Sequence, residues 1–122
     1  MSQELPPQAQ NQMSQLQQLQ QQAQSLAVQK NQVESSQKET EKALEELNKL
    51  PEDATVYRMV GNVQVKTTRD DAIEKLEEQK ENLSLRLQSI NRQEERISKR
   101  FKQLQEQLQQ SMGKQQQGGQ AQ

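Results

Sequence analysis

Steps of three and four residues dominate the apolar pattern of this chain. From Leu16 they visit Leu19, Ala23, Leu26, Lys30, Val33, Gln37, Thr40, Leu44 and Leu47, with Leu50 closing the series. From Ile73 they visit Leu76, Lys80, Leu83, Leu87, Ile90, Glu94, Ile97, Phe101, Leu104 and Leu108. An alternation of this length is the seam of a coiled coil, here with polar interruptions. Between the two series stands VYRMVGNVQVKTTRD, residues 56–70, which has no helical period.

End signals agree with two helices. Pro6 and Pro7 suit a helix start, Pro51 stops the first helix, Thr68 with Asp71 forms a capping-box pattern, and Gly113 follows the last periodic turn. The predicted organisation is a flexible N-terminal tip at 1–7, a first coiled-coil helix at 8–50, a hairpin segment at 51–68, a second coiled-coil helix at 69–112, and a disordered Gly- and Gln-rich tail at 113–122. Folded back on each other, the two seams meet in one register that pairs Leu47 with Ile73, Leu44 with Leu76, Val33 with Leu87, Leu19 with Phe101 and Leu16 with Leu104. It also sets Thr40 opposite Lys80. A polar seam layer of this kind fixes register at some cost in stability, and the bland alternative is a long side chain reaching to solvent.

Thr55–Val60 and Val63–Thr67 are rich in β-branched residues, and Gly61-Asn62 between them is a two-residue hairpin turn in which glycine supplies the positive φ. The expected register sets Val60 against Val63, Arg58 against Val65 and Val56 against Thr67 on one face. Thr55, Tyr57 and Met59 then share the other face with Gln64, Lys66 and Thr68. An isolated two-stranded ribbon is marginal in water, and its edges recruit further strands. A bare connector between helices needs only a few residues. The candidate assembly residues are therefore Val56, Tyr57, Met59, Val60, Gly61, Val63 and Val65, joined to hairpins of sister or related chains.

Composition narrows the function classes. Of 122 residues, 29% are hydrophobic and 2% aromatic, too few for an ordinary globular core, so the apolar residues must be spent in a stripe. The absence of Cys and His removes thiol nucleophiles, disulfides, imidazole bases and the usual zinc sites. The start, MSQELPPQAQ, has no basic and apolar leader pattern, and no later run suits a membrane span, so a soluble intracellular protein is expected. A net charge of −1 with mixed signs gives no reason to expect nucleic acid or anionic lipid. The cluster Arg92, Arg96, Lys99, Arg100 and Lys102 is interrupted by Glu94 and Glu95 and reads as a solvated helix face. Gly113-Lys114 lacks the remainder of a phosphate loop, and no cofactor is expected. An enzyme is not indicated.

A coiled-coil arm, a Gly-Asn hairpin and a returning arm together resemble prefoldin, and specifically its beta class. The resemblance runs from LPPQAQNQ through LQQLQQQAQSLAVQKNQVE, KALEELNKL and VYRMVGNVQVK to LRLQSINRQEERISKRFKQLQEQLQ. SINRQEERISKRF after GNVQVK is its most telling part. The resemblance implies a mainly α fold, a long antiparallel two-helix coiled coil connected by a β-hairpin that joins an intersubunit β-barrel. It also implies a hexamer of two alpha-class and four beta subunits that works without ATP. Tips of the coiled coils then hold unfolded polypeptides and deliver them to a group II chaperonin in the cytoplasm. In the family the beta-class C-terminal end is implicated in chaperonin docking, but this tail has no quotable motif for it.

The residues themselves suggest where a client could be held. Met13 and Met112 sit one position off the seam near the free ends, and Leu5 lies before the prolines with no seam partner. Methionine suits surfaces that must fit many shapes. Leu16, Leu19, Phe101, Leu104 and Leu108 add apolar area if the last turns splay; otherwise they are coiled-coil core. The rival function is a structural or adaptor coiled coil that scaffolds a partner. Leu85, apolar and off the seam, fits neither role.

Overall fold

The computed structural model describes residues 5–120, with side chains described through Gly113. Helix α1 spans Pro7–Asn48, strands β1 and β2 span Thr55–Val60 and Val63–Thr68, and helix α2 spans Arg69–Gln120. The chain forms two compact units. A terminal unit contains the chain up to Val28 and from Ile90 onward; a hairpin unit is Gln29–Ser89.

Local chemistry explains the helix ends. Pro7 occupies the first helical position, where its missing N–H costs nothing. The Gln10 amide donates to the Pro6 carbonyl at 3.0 Å, and the Gln10 side chain donates to the Leu5 carbonyl at 3.0 Å. At the other end the last turn tightens, with Lys49 N–H to the Glu46 carbonyl and Leu50 N–H to the Leu47 carbonyl, before Pro51 opens a turn closed by Ala54. Helix α2 starts at a cap, the Thr68 hydroxyl accepting from the Asp71 amide at 3.1 Å, with Asp70 and Asp71 at the positive end of the helix dipole. Thr68→Ala should lower stability by about 1 kcal/mol in urea unfolding of the full chain.

One boundary corrects the expectation. α2 does not stop at residue 112 but continues through Gly113 to Gln120. Gly113 lacks the positive φ of a left-handed cap, and an interior glycine costs only about 1 kcal/mol relative to alanine. A long preceding helix and good helix formers on either side tolerate that cost. Residues 1–4 of the expected N-terminal tip and 121–122 of the expected tail lie outside the described residues.

Burial follows the predicted seam within each unit. In the terminal unit Leu26, Ile90 and Leu104 are buried, while Leu16, Leu19, Ile97, Phe101 and Leu108 are half-buried. Ala9 and Gln12 carry the same three-and-four stepping one turn beyond Leu16 and are also buried. In the hairpin unit Val33, Thr40, Leu44, Ala72 and Leu83 are buried, with Leu47, Ile73, Leu76 and Leu87 half-buried.

Three seam positions are exposed, each for its own reason. Leu50 lies past the end of α1, Lys80 carries an ammonium that seeks water, and Ala23 is too short to meet its neighbours. Thr40 is buried without needing a partner across the seam, because its hydroxyl donates to the Ser36 carbonyl one turn back at 2.8 Å.

Candidate functional site

The hairpin has the expected register throughout: Thr55 opposite Thr68, Val56 opposite Thr67, Tyr57 opposite Lys66, Arg58 opposite Val65, Met59 opposite Gln64 and Val60 opposite Val63. Gly61 has φ of 62°, and among the described residues no non-glycine residue has positive φ, so Asn62 stays on the negative side. That combination matches a II′-type turn, with glycine first. A side chain at Gly61 would meet no neighbour, so only its backbone conformation demands glycine.

The sheet has two strands. Both outer edges therefore keep backbone donors and acceptors without a ladder partner among the described residues. Its apolar side chains are also uncovered, from 45% exposed at Val65 to 62% at Val63, with Tyr57, Met59 and Val60 between these values. Val60, Val63 and Val65 share one face and Tyr57 and Met59 the other, so each face of the ribbon carries exposed apolar side chains among its polar ones. Val56 is half-buried near its root.

The root is fastened by a side chain that no sequence pattern announced. Arg69, the first residue of α2, donates from Nε to the Leu47 carbonyl at 2.9 Å and reaches Asp70 at 3.4 Å. Leu47 is in the last turn of α1, and its carbonyl, which has no donor four residues on because that residue is Pro51, accepts from both the Leu50 N–H and Arg69. Beside this clamp lies a groove of 630 Å³, walled by Val56 and Met59 of β1, Leu47 of α1, and Ala72 and Leu76 of α2.

The terminal unit sorts the candidate client residues by accessibility. Met13 and Met112 are exposed, at 40% and 38%. Leu5, Leu16, Leu19, Phe101 and Leu108 are half-buried, and Leu104 is 1% exposed, reachable only if the paired helices part. Leu5 is tied by its carbonyl to Gln10 rather than standing apart. Polar contacts cross between the helices: Ser111 Oγ donates to Gln12 Oε1 at 3.5 Å, and Arg100 donates to Gln15 Oε1 at 3.3 Å. A groove of 550 Å³ opens around Ala23, between Leu19 on its own helix and Ile97 and Phe101 on α2.

Among the described residues no group of three or more His, Cys, Asp or Glu is placed to hold a metal ion, and no helix is long and apolar enough to cross a membrane.

Two long helices with coiled-coil seams, joined by a two-stranded hairpin whose apolar side chains are exposed, define the class of fold. The sequence matches the prefoldin subunit family over residues 10–115, and the chain belongs to that family, in its beta class. It is 68% identical to prefoldin subunit beta of Methanococcoides burtonii over 115 residues, covering 94% of this chain and 98% of that protein. It is 42% identical to prefoldin subunit beta of Caldivirga maquilingensis over the full length of both. The crystal structure of the prefoldin beta subunit from Thermococcus strain KS-1 matches with a TM-score of 0.81 at 42% identity, covering 90% of this chain and 96% of that one. The resemblance carried by GNVQVK and SINRQEERISKRF is borne out, as is the helix–hairpin–helix architecture.

Proposed function

We propose that this chain is a subunit of an ATP-independent holding chaperone. Through its hairpin it joins other beta subunits and alpha-class subunits in a hexamer of two alpha and four beta, the strands merging into a shared β-barrel. Its terminal unit holds unfolded polypeptides and passes them to a group II chaperonin in the cytoplasm. No catalytic step belongs to this role.

The observation that carries this reading is the hairpin. Five large apolar side chains, Tyr57, Met59, Val60, Val63 and Val65, are exposed on a ribbon with two open edges. Exposed apolar area together with open edges favours strand addition from neighbours. Membership in a family of subunits supports the same conclusion.

Holding follows from the other unit. Met13 and Met112 offer flexible apolar surface without disturbing the seam, and Leu5, Leu16, Leu19, Phe101, Leu104 and Leu108 add to it as the last turns part. Each chain contributes little area, so grip depends on several tethered chains acting together.

Sedimentation of the chain mixed with an alpha-class subunit should give the mass of a hexamer. A particle of one chain, indifferent to that partner, would instead support a scaffold. In the assembled complex, Met13→Ser with Met112→Ser should weaken suppression of client aggregation several-fold at unchanged mass. Undiminished suppression removes these methionines from the client surface.

A further inference from the structure

The groove at Ala23 has a shape and a charge that point to one kind of ligand. Its floor is apolar, made by Leu19, Ala23, Ile97 and Phe101, and it exists because alanine occupies a seam position where neighbouring layers carry leucine. At 550 Å³ it falls within the range of about 300–1,000 Å³ typical of small-ligand pockets. Ala23 is exposed although it lies on the seam, so the notch is open before any helix moves.

The surrounding charge is mixed but net positive. Between Leu5 and Val28, α1 and the residues before it contain no charged side chain. Between Ile90 and Gly113, α2 carries five basic residues, Arg92, Arg96, Lys99, Arg100 and Lys102, against three acidic ones, Glu94, Glu95 and Glu106, a net +2. The hairpin unit has ten basic and thirteen acidic residues, a net −3. Near-neutrality of the whole chain thus hides a positive terminal unit.

Lys102 and Glu94 line the groove eight residues apart on α2. Lys102 forms no ion pair among the described residues, whereas Glu94 is already engaged. Arg100 is bonded to the neutral Gln15 amide, so its charge is not cancelled there.

We propose that this notch is a preformed pocket for one bulky apolar side chain of an extended polypeptide segment that carries Asp or Glu next to that side chain. The apolar anchor displaces water from Leu19, Ala23, Ile97 and Phe101, and the neighbouring carboxylate lies toward Lys102. A second copy of the terminal unit is a poor occupant, since it brings like charge to the same surface. This inference rests on the holding role proposed above and gives it a preference: apolar residues flanked by acid are gripped ahead of those flanked by base.

The test uses the full chain and three fluorescein-labelled eleven-residue peptides: one with a central Phe followed by two Glu, one with Lys in place of both Glu, and one with Ala in place of Phe. Fluorescence anisotropy at low salt should show the Phe-Glu peptide binding at least tenfold tighter than either of the others. Ala23→Leu restores the residue type of neighbouring seam layers and narrows the notch, so it should weaken that peptide at least tenfold while leaving the fold intact. Lys102→Glu should erase the preference for acid, and 0.5 M salt should shrink it by screening.

Equal binding to wild type and Ala23→Leu, or equal binding of acidic and basic peptides, overturns the proposal. So does a concentration-dependent mass of the chain that Ala23→Leu abolishes, because the occupant is then another copy. Aggregation suppression by the assembled wild-type complex is measured in parallel. If suppression is present while the notch fails, holding stands without the notch; if it is absent, the holding role itself falls.

Discussion

Replacing residues 56–66 with a tight turn should leave a chain that no longer assembles, whatever the concentration of an alpha-class partner. The residues removed include Tyr57, Met59, Val60, Val63 and Val65, all exposed in the single chain. Full burial of side chains of this size is worth roughly 1.5–3 kcal/mol each, and association costs roughly 4–15 kcal/mol in lost freedom. These five are about half exposed in the single chain, so their burial recovers roughly half of that value, about 4–8 kcal/mol together; with two strand edges added this reaches the lower part of the association cost. Both helices keep their seams, because those seams run through Leu44, Leu83 and Leu104 rather than through the strands. Circular dichroism should accordingly retain its helical signal while sedimentation falls from the proposed hexamer to single chains. A variant that keeps the hexamer's mass refutes assembly through the hairpin.

Leu104→Ala should be the most damaging single truncation in the terminal unit. Leu104 is 1% exposed and is the one large side chain among the described residues that is fully buried. Removing a buried leucine costs about 2–5 kcal/mol, the upper part of that range applying where the site cannot collapse. Two helices alone give few neighbouring side chains with which to fill the hole. Leu85→Ala is the matched control: Leu85 is 56% exposed, and its loss should change stability by no more than about 0.5 kcal/mol. Urea unfolding of the two variants beside the parent chain measures the difference, and equal midpoints would show that Leu104 is not the core residue its burial indicates.

Much of this fold was readable because its two patterns are long and regular. Three-and-four stepping identified the buried faces of both helices, and β-branched alternation around Gly61-Asn62 gave every cross-strand pair. What escaped had no periodic or local signature. Arg69 follows a cap and looks like any exposed arginine; its role appears only when α2 brings it within 2.9 Å of Leu47. Gly113 carried a stop signal that the helix overrode, since propensity near a long helix is a small term. Ala9 and Gln12 continued the seam, but alanine and glutamine do not announce burial.

The candidate surfaces were less legible than the fold. Spacing separated Met13 and Met112 from the seam, and both are exposed, yet it could not rank Leu16, Leu19, Phe101, Leu104 and Leu108, which differ in depth. Nor could it find the groove at Ala23, because a cavity arises from what a short side chain fails to fill.

The link between Arg69 and the last turn of α1 makes the strand pair a detachable cassette. With the helix ends stapled by a guanidinium, the ribbon beyond them need not act as a hinge pin, so nicking the peptide between Gly61 and Asn62 should leave the arms zipped. If the hairpin is the assembly element proposed above, transplanting it between relatives should change the choice of partner while the helical seams are carried along unaltered.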